Sequence, residues 1–137
     1  MNDSKQLNRK PVIAIVDDDS SSRESTQLLL RSAGYRAEVF ASALEFLDSA
    51  RHSETACLIL DVRMPGMDGL ELQQRLNEAQ RQIPIIFITA QGTESEEQRA
   101  RKAGAVDFLQ KPVNDEKLLS AIQTALKGKR NDERMRQ

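Results

Sequence analysis

Cysteine and histidine occur once each in this chain, as Cys57 and His52, and no apolar run approaches the length needed to span a membrane. A single cysteine excludes an internal disulfide, and Cys57, inside an apolar run, reads as a small core residue. One histidine argues against a phosphohistidine carrier, and His52, between Arg51 and Ser53, reads as a solvated loop residue. A surplus of charge is also missing. Lys and Arg number 20 against 21 Asp and Glu, for a net charge of −1, so nothing draws the chain as a whole to a polyanion. Residues 1–5 lack the apolar core of a signal peptide, which makes a cytoplasmic location the expectation. Internal repeats and low-complexity segments are absent too. What is present, 137 residues of which 39% are hydrophobic and 30% charged, suits one globular domain with one core.

The order of patterns along the chain alternates. After a polar lead at 1–9, Val12–Val16 is an apolar run that stops at Asp17, Asp18 and Asp19. Ser20, Ser21 and Ser22 are N-cap candidates, with Glu24 three residues beyond Ser21, and Leu28, Leu29 and Leu30 supply the apolar face of the helix that follows up to Gly34. Arg36–Phe40 is a second strand, and Ser42 with Glu45 opens a second helix through Phe46 and Leu47. Residues 57–61 form a third apolar run ending at Asp61. Pro65, Gly66 and Gly69 break the pattern, and Asp68 with Glu71 caps a helix carrying Leu72 and Leu76. Residues 85–88 are a fourth strand ending at Thr89. Thr93 with Glu96 caps a helix whose inward candidates are only Ala100 and Ala103. Residues 105–109 form the last strand, before Lys111 and Pro112. Asn114 caps a final helix with Leu118, Leu119, Ile122 and Leu126 at helical spacing. The chain from 128 to 137 is charged and reads as a tail or linker.

Five strands alternating with five helices predict an α/β fold, a flavodoxin-like, doubly wound parallel sheet in the order 2-1-3-4-5. In that order the polar ends of strands one, three, four and five meet in one crevice: Asp17 and Asp18, Asp61, Thr89, and Lys111. Two carboxylates about 5 Å apart repel by roughly 3 kcal/mol at an effective dielectric near 20, so the crevice calls for positive charge. Lys111 supplies one. A hard divalent ion with oxygen ligands supplies the rest, and the lack of His and Cys there favours Mg²⁺ over zinc. Such a site suits phosphoryl chemistry, with Asp61 as nucleophile, Thr89 as hydrogen-bond donor and Lys111 stabilising charge on the phosphoryl oxygens.

Four pieces in order, 15–19, 60–69, 88–90 and 102–108 with Lys111 and Pro112, resemble the receiver domain of two-component response regulators over residues 10–127. That resemblance implies that Asp61 is the phosphoacceptor, that Asp18 is the main metal-ligating acid with Asp17 beside it, and that the backbone carbonyl of Arg63 completes the protein's ligands to Mg²⁺. It makes Asp19 a turn or capping residue, Thr89 and Phe108 a switch pair, Arg63 and Gln91 rim residues that tune loss of the phosphoryl group, and Lys111-Pro112 a cis peptide. The implied partner is a sensor histidine kinase, with homodimerisation on phosphorylation through helix four, strand five and helix five, where helix four is expected to be mobile. The stretches 31–35 and 40–43 resemble receivers joined to a helix-turn-helix domain, so DNA would be reached only through an effector domain outside this chain. Two other readings stay open. One is an aspartyl-phosphate phosphatase of the haloacid dehalogenase type, with Asp17 as nucleophile. The other is a stand-alone regulator or scaffold that binds another protein.

Overall fold

The computed structural model describes residues 11–49 and 54–135, with side chains described up to residue 128. His52 and the lead at 1–9 lie outside it. The elements follow one another as β1 (Val12–Val16), α1 (Ser20–Ser32), β2 (Arg36–Phe40), α2 (Ala43–Asp48), β3 (Thr55–Asp61), α3 (Gly69–Glu78), β4 (Ile85–Thr89), α4 (Glu94–Lys102), β5 (Asp107–Gln110) and α5 (Asp115–Met135). All four strand pairings are parallel and the order is β2-β1-β3-β4-β5, the doubly wound arrangement expected.

Apolar runs without alternation become strands here because both faces of the sheet are covered. Ala14, Val16, Leu58, Leu60, Ile85 and Phe87 join the core on one face, which also holds Phe46, Leu72, Leu76 and Ala100. Ile13, Ile15, Cys57, Ile59, Ile86 and Ile88 point the other way, into a core with Leu30, Leu118 and Ile122. Adjacent residues of one strand therefore serve opposite cores, which leaves no position for a polar residue until the strand ends. That is why the polar groups collect at the carboxyl edge.

Several local expectations change. Helix α1 is capped by Asp19, whose side chain accepts from the backbone N–H of Ser21, so the cap falls one residue before the serines and no Ser21–Glu24 box forms. Of its three leucines, Leu30 is fully buried while Leu28 is 69% exposed, because three consecutive residues sweep too wide an arc to share one face. Strand β3 starts at Thr55, and β5 starts at Asp107 instead of residue 105, with Val106 donating to the Ile85 carbonyl just ahead of the ladder. Ala103, expected to face inward, is the exposed C-cap of α4, where the helix has already ended. Met64 is buried and Met67 packs half-buried against the core, so both serve the β3–α3 loop. Helix α5 continues to Met135, through most of the segment expected to be a tail or linker.

The capping boxes of α3 and α4 form in full, Asp68 with Glu71 and Thr93 with Glu96. No helix among the described residues is long and apolar enough to cross a membrane.

Candidate phosphoryl and metal site

The register of the central strands builds the site. Val16 lies opposite Leu60, so the next residue of each strand brings Asp17 beside Asp61 at the point where the winding of the sheet reverses. On the far side of β3, Asp61 pairs with Ile88, and Thr89 follows it. The backbone N–H of Lys111 donates to the Thr89 carbonyl at 2.8 Å, and the Lys111-Pro112 peptide is cis, as expected.

Lys111 ties the crevice together. Its Nζ donates to Asp17 Oδ2 at 2.8 Å and to Asp61 Oδ2 at 3.0 Å. Both acids are nearly removed from solvent, Asp17 wholly and Asp61 to 6%, whereas Asp18 is exposed. Carboxylate oxygens of Asp17, Asp18 and Asp61 lie within 4.8 Å of one another. The remaining oxygen of each buried acid meets a backbone N–H: Asp19 donates to Asp17 Oδ1 at 3.0 Å, and Arg63 donates to Asp61 Oδ1 at 3.2 Å.

These contacts set the two acids apart. Burial pushes the Asp17 carboxyl up, but hydrogen bonds from Lys111, the Asp19 N–H and Ser22, with the Lys111 charge, outweigh it and leave the group below the usual carboxylate range. For Asp61 burial is again the largest influence, and the shared lysine and the Arg63 N–H do not overcome it once the Asp17 charge is added, so its carboxyl lies above its ordinary value. Burial pulls Lys111 down, while its bonds to the two acids more than compensate, so it stays protonated with a raised value. Of the two buried acids, Asp61 is thus the one whose charge the protein leaves less compensated.

The donor set suits a hard divalent cation. Three carboxylates converge with neither histidine nor cysteine among them, and the one lysine cannot neutralise three acids. A second observation points to an absent acceptor. Thr89 Oγ1 is buried and has no hydrogen-bond partner among the described residues.

Around this centre the structure places the other residues expected at the site. Arg63 sends its side chain to the rim, where Nη2 donates to the Gln91 carbonyl at 2.7 Å and to Glu96 Oε1 at 2.8 Å. The Gln91 side chain is exposed, so its contribution here is its carbonyl. Phe108 is 6% exposed and lies against Phe87 with ring centroids 5.9 Å apart. Gly92 fills the space between: a Cβ there would come within 2.5 Å of the Phe108 ring and 2.6 Å of the Thr89 methyl. Gly69 meets the backbone of Asp61 just as closely on the other side, with its N–H on the Val62 carbonyl at 2.8 Å.

Sequence reasoning missed four supports. Arg23 Nη1 donates to the Asp17 carbonyl at 2.7 Å, Ser22 hydrogen-bonds the Asp17 carboxyl, Glu96 pairs with Arg63, and Gly92 seats Phe108. Only Glu96 had a signal, as the reciprocal acid of a capping box, and that signal accounted for it fully without the second bond.

The sequence model of the response regulator receiver domain matches residues 13–123. The response regulator protein TodT of Pseudomonas putida (strain ATCC 700007 / F1) is 50% identical over 119 residues, which are 87% of this chain and 52% of that protein. The transcriptional regulatory protein FixJ of Bradyrhizobium diazoefficiens is 40% identical over 121 residues, 88% of this chain and 59% of FixJ. The chain thus spans about half the length of the curated relatives it matches. Among solved structures, the response regulator StyR superposes with a TM-score of 0.85 at 47% identity, over 93% of this chain and 64% of StyR. With the family pattern matched across most of its length and its acids, threonine and lysine gathered at one edge of the sheet, the chain belongs to the receiver domains of two-component response regulators.

Proposed function

We propose that Asp61 accepts a phosphoryl group from a phosphohistidine of a sensor histidine kinase, and that the observation carrying this reading is the raised, poorly compensated Asp61 carboxyl between Lys111 and the buried, unpartnered Thr89 hydroxyl. A carboxylate oxygen of Asp61 forms the new O–P bond as the N–P bond of the phosphohistidine breaks, and the imidazole leaves with its electron pair and is then protonated. The Lys111 ammonium, already on Asp61, takes up charge on one phosphoryl oxygen. Thr89 donates its unused hydroxyl to another, and the nearby Phe108 changes rotamer with that movement. Asp17, Asp18, Asp61 and the Arg63 carbonyl would hold Mg²⁺, which when bound supplies positive charge to the acids and to the phosphoryl oxygens. The domain so acts as a substrate that assists its own phosphorylation and dephosphorylation, with Arg63 and Gln91 at the rim tuning how long the phosphoryl group lasts.

The phosphatase alternative would use Asp17 as nucleophile. Asp17 is wholly buried, whereas Asp61 keeps 6% exposure, and the family match gives the phosphatase reading no support. The output is control of transcription through a DNA-binding domain in a longer protein. FixJ, named as a transcriptional regulatory protein, of which the matched region is 59%, supports this. The receiver would switch that domain by pairing with a second copy through α4, β5 and α5. Intact-mass spectrometry after incubation with acetyl phosphate and Mg²⁺ tests the acceptor: one phosphoryl adduct is expected on the native chain and none on Asp61→Asn, and an adduct retained by Asp61→Asn but lost in Asp17→Asn overturns the assignment.

A further inference from the structure

Resting on the reading of Asp61 as phosphoacceptor, we propose that Glu96 is a positioning residue for the phosphoryl site: it holds the Arg63 guanidinium away from Asp61 in the resting form and yields it to the phosphoryl oxygens. Arg63 touches the crevice on the β3 side and on the β4 side. Its backbone N–H is on Asp61 Oδ1, while its guanidinium reaches across to Gln91 O and Glu96 Oε1. The same Glu96 oxygen accepts the backbone N–H of Thr93 at 3.0 Å, so one carboxylate both starts α4 and anchors the arginine.

The pair is placed so that it can be exchanged. Arg63 is 51% exposed and Glu96 21%, and an ion pair at the surface adds little to stability, so giving it up is not costly. A phosphoryl group close to two negative charges, with several acceptor oxygens, competes well for a guanidinium against a single carboxylate. A groove lined by Val62, Arg63, Met64, Pro65, Asp68 and Glu96 gives the side chain room, and Asp68 is the other acid on that surface. The exchange has a mechanical outlet. Gly92, next to the Gln91 carbonyl that Arg63 holds, fits against Thr89 and Phe108 with no space for a methyl group. When Arg63 leaves, the segment that keeps Phe108 inward loses one of its ties and is left on the longer bonds between Gly92 and the Gln110 side chain, at 3.3 and 3.4 Å, and the first turn of α4 loses its ion pair. Phosphorylation is thereby coupled to α4 from the rim of the site as well as through Thr89.

The test is a double-mutant cycle read by calorimetric titration with beryllofluoride in the presence of Mg²⁺. Glu96→Gln keeps an oxygen for the Thr93 N–H and so preserves the start of α4, but it removes the charge that holds Arg63. It is expected to tighten beryllofluoride binding about three-fold, as suits loss of a surface ion pair, and the gain should vanish when Arg63→Ala is also present. An unchanged affinity in Glu96→Gln, or the same gain with and without Arg63, overturns the proposal while leaving Asp61 as acceptor. Failure of the native chain to bind beryllofluoride, with Asp61→Asn behaving identically, overturns the acceptor reading itself.

Discussion

Helices α4 and α5 both pack near the same edge of the sheet, yet they are held by different forces. Helix α5 buries Leu118, Ala121, Ile122 and Ala125 in the core it shares with β1, β3 and β4. Fully burying a side chain of the size of Leu or Ile stabilises by about 1.5–3 kcal/mol, and the contact does not depend on one geometry. Helix α4 buries Ala100 alone. It is fixed by hydrogen bonds from its surroundings: Gln73 Nε2 on the Ala100 carbonyl, Asn77 Nδ2 on the Ala103 carbonyl, and Arg63 on Glu96. Apolar burial makes α5 a scaffold, whereas a helix held by a few directional bonds can move by exchanging them. The difference separates the part of the domain that must stay from the part that can carry a signal.

The largest expected effect lies on the scaffold side. Ile122→Ala should lower unfolding stability by about 3 kcal/mol in denaturant titration, through lost burial and the cavity left behind. A loss below 1 kcal/mol would erase the contrast. Gln73→Ala should cost about 1 kcal/mol, since Gln73 is buried and its amide serves one α4 carbonyl, and hydrogen exchange should rise in α4 with α5 unchanged. Equal loss of protection in both helices would show that α4 is not separately held.

The site at the strand ends gives a smaller effect of opposite sign. Because the folded Asp61 carboxyl is raised, its charged form opposes folding at pH values above that raised value, so Asp61→Asn should raise the melting temperature of the metal-free protein at neutral pH. The gain should disappear as pH falls through the raised value to below the ordinary carboxylate value. A gain that persists there would place the repulsion elsewhere. Asp17 is the counterpart: with its value lowered, it contributes stability above the ordinary carboxylate range that is lost in stronger acid, as pH falls through the folded value. The least effect is expected at the outer face of α4. Arg101 bridges Glu97 and Asp107 at the surface, and Arg101→Ala should change stability by no more than about 0.5 kcal/mol.

The same contrast explains what could be read from the sequence. The sheet order and the polar strand ends were legible because β1, β3 and β4 are apolar on both faces, so each first polar residue marks an edge and the crossover rule fixes which edge. The helix carried by Leu118 and Ile122 was legible from its spacing, though its buried alanines, 121 and 125, were not. The tethers of α4 were hidden. Gln73 and Asn77 sit on α3, where an amide reads as solvated surface, and their partners are backbone carbonyls 27 and 26 residues away that carry no sequence signal. Arg23 was hidden for the same reason, since its acceptor is the carbonyl of Asp17. A side chain that bonds to a distant backbone carbonyl leaves no pattern in the sequence, because every residue offers that acceptor.

The unpartnered hydroxyl of Thr89 has a consequence for populations. A buried donor without a partner costs about 1–3 kcal/mol. Where no water reaches the Thr89 hydroxyl, that cost falls on this conformer, and a conformer that gives Thr89 an acceptor escapes it. A resting equilibrium strained in this way needs a smaller differential affinity from whatever occupies the site to tip it, since a ligand shifts two states only by the difference in its binding to them. Removing the hydroxyl would therefore relax the resting conformer and take away the reward of the other one, so a valine at 89 should leave the domain folded but hard to switch.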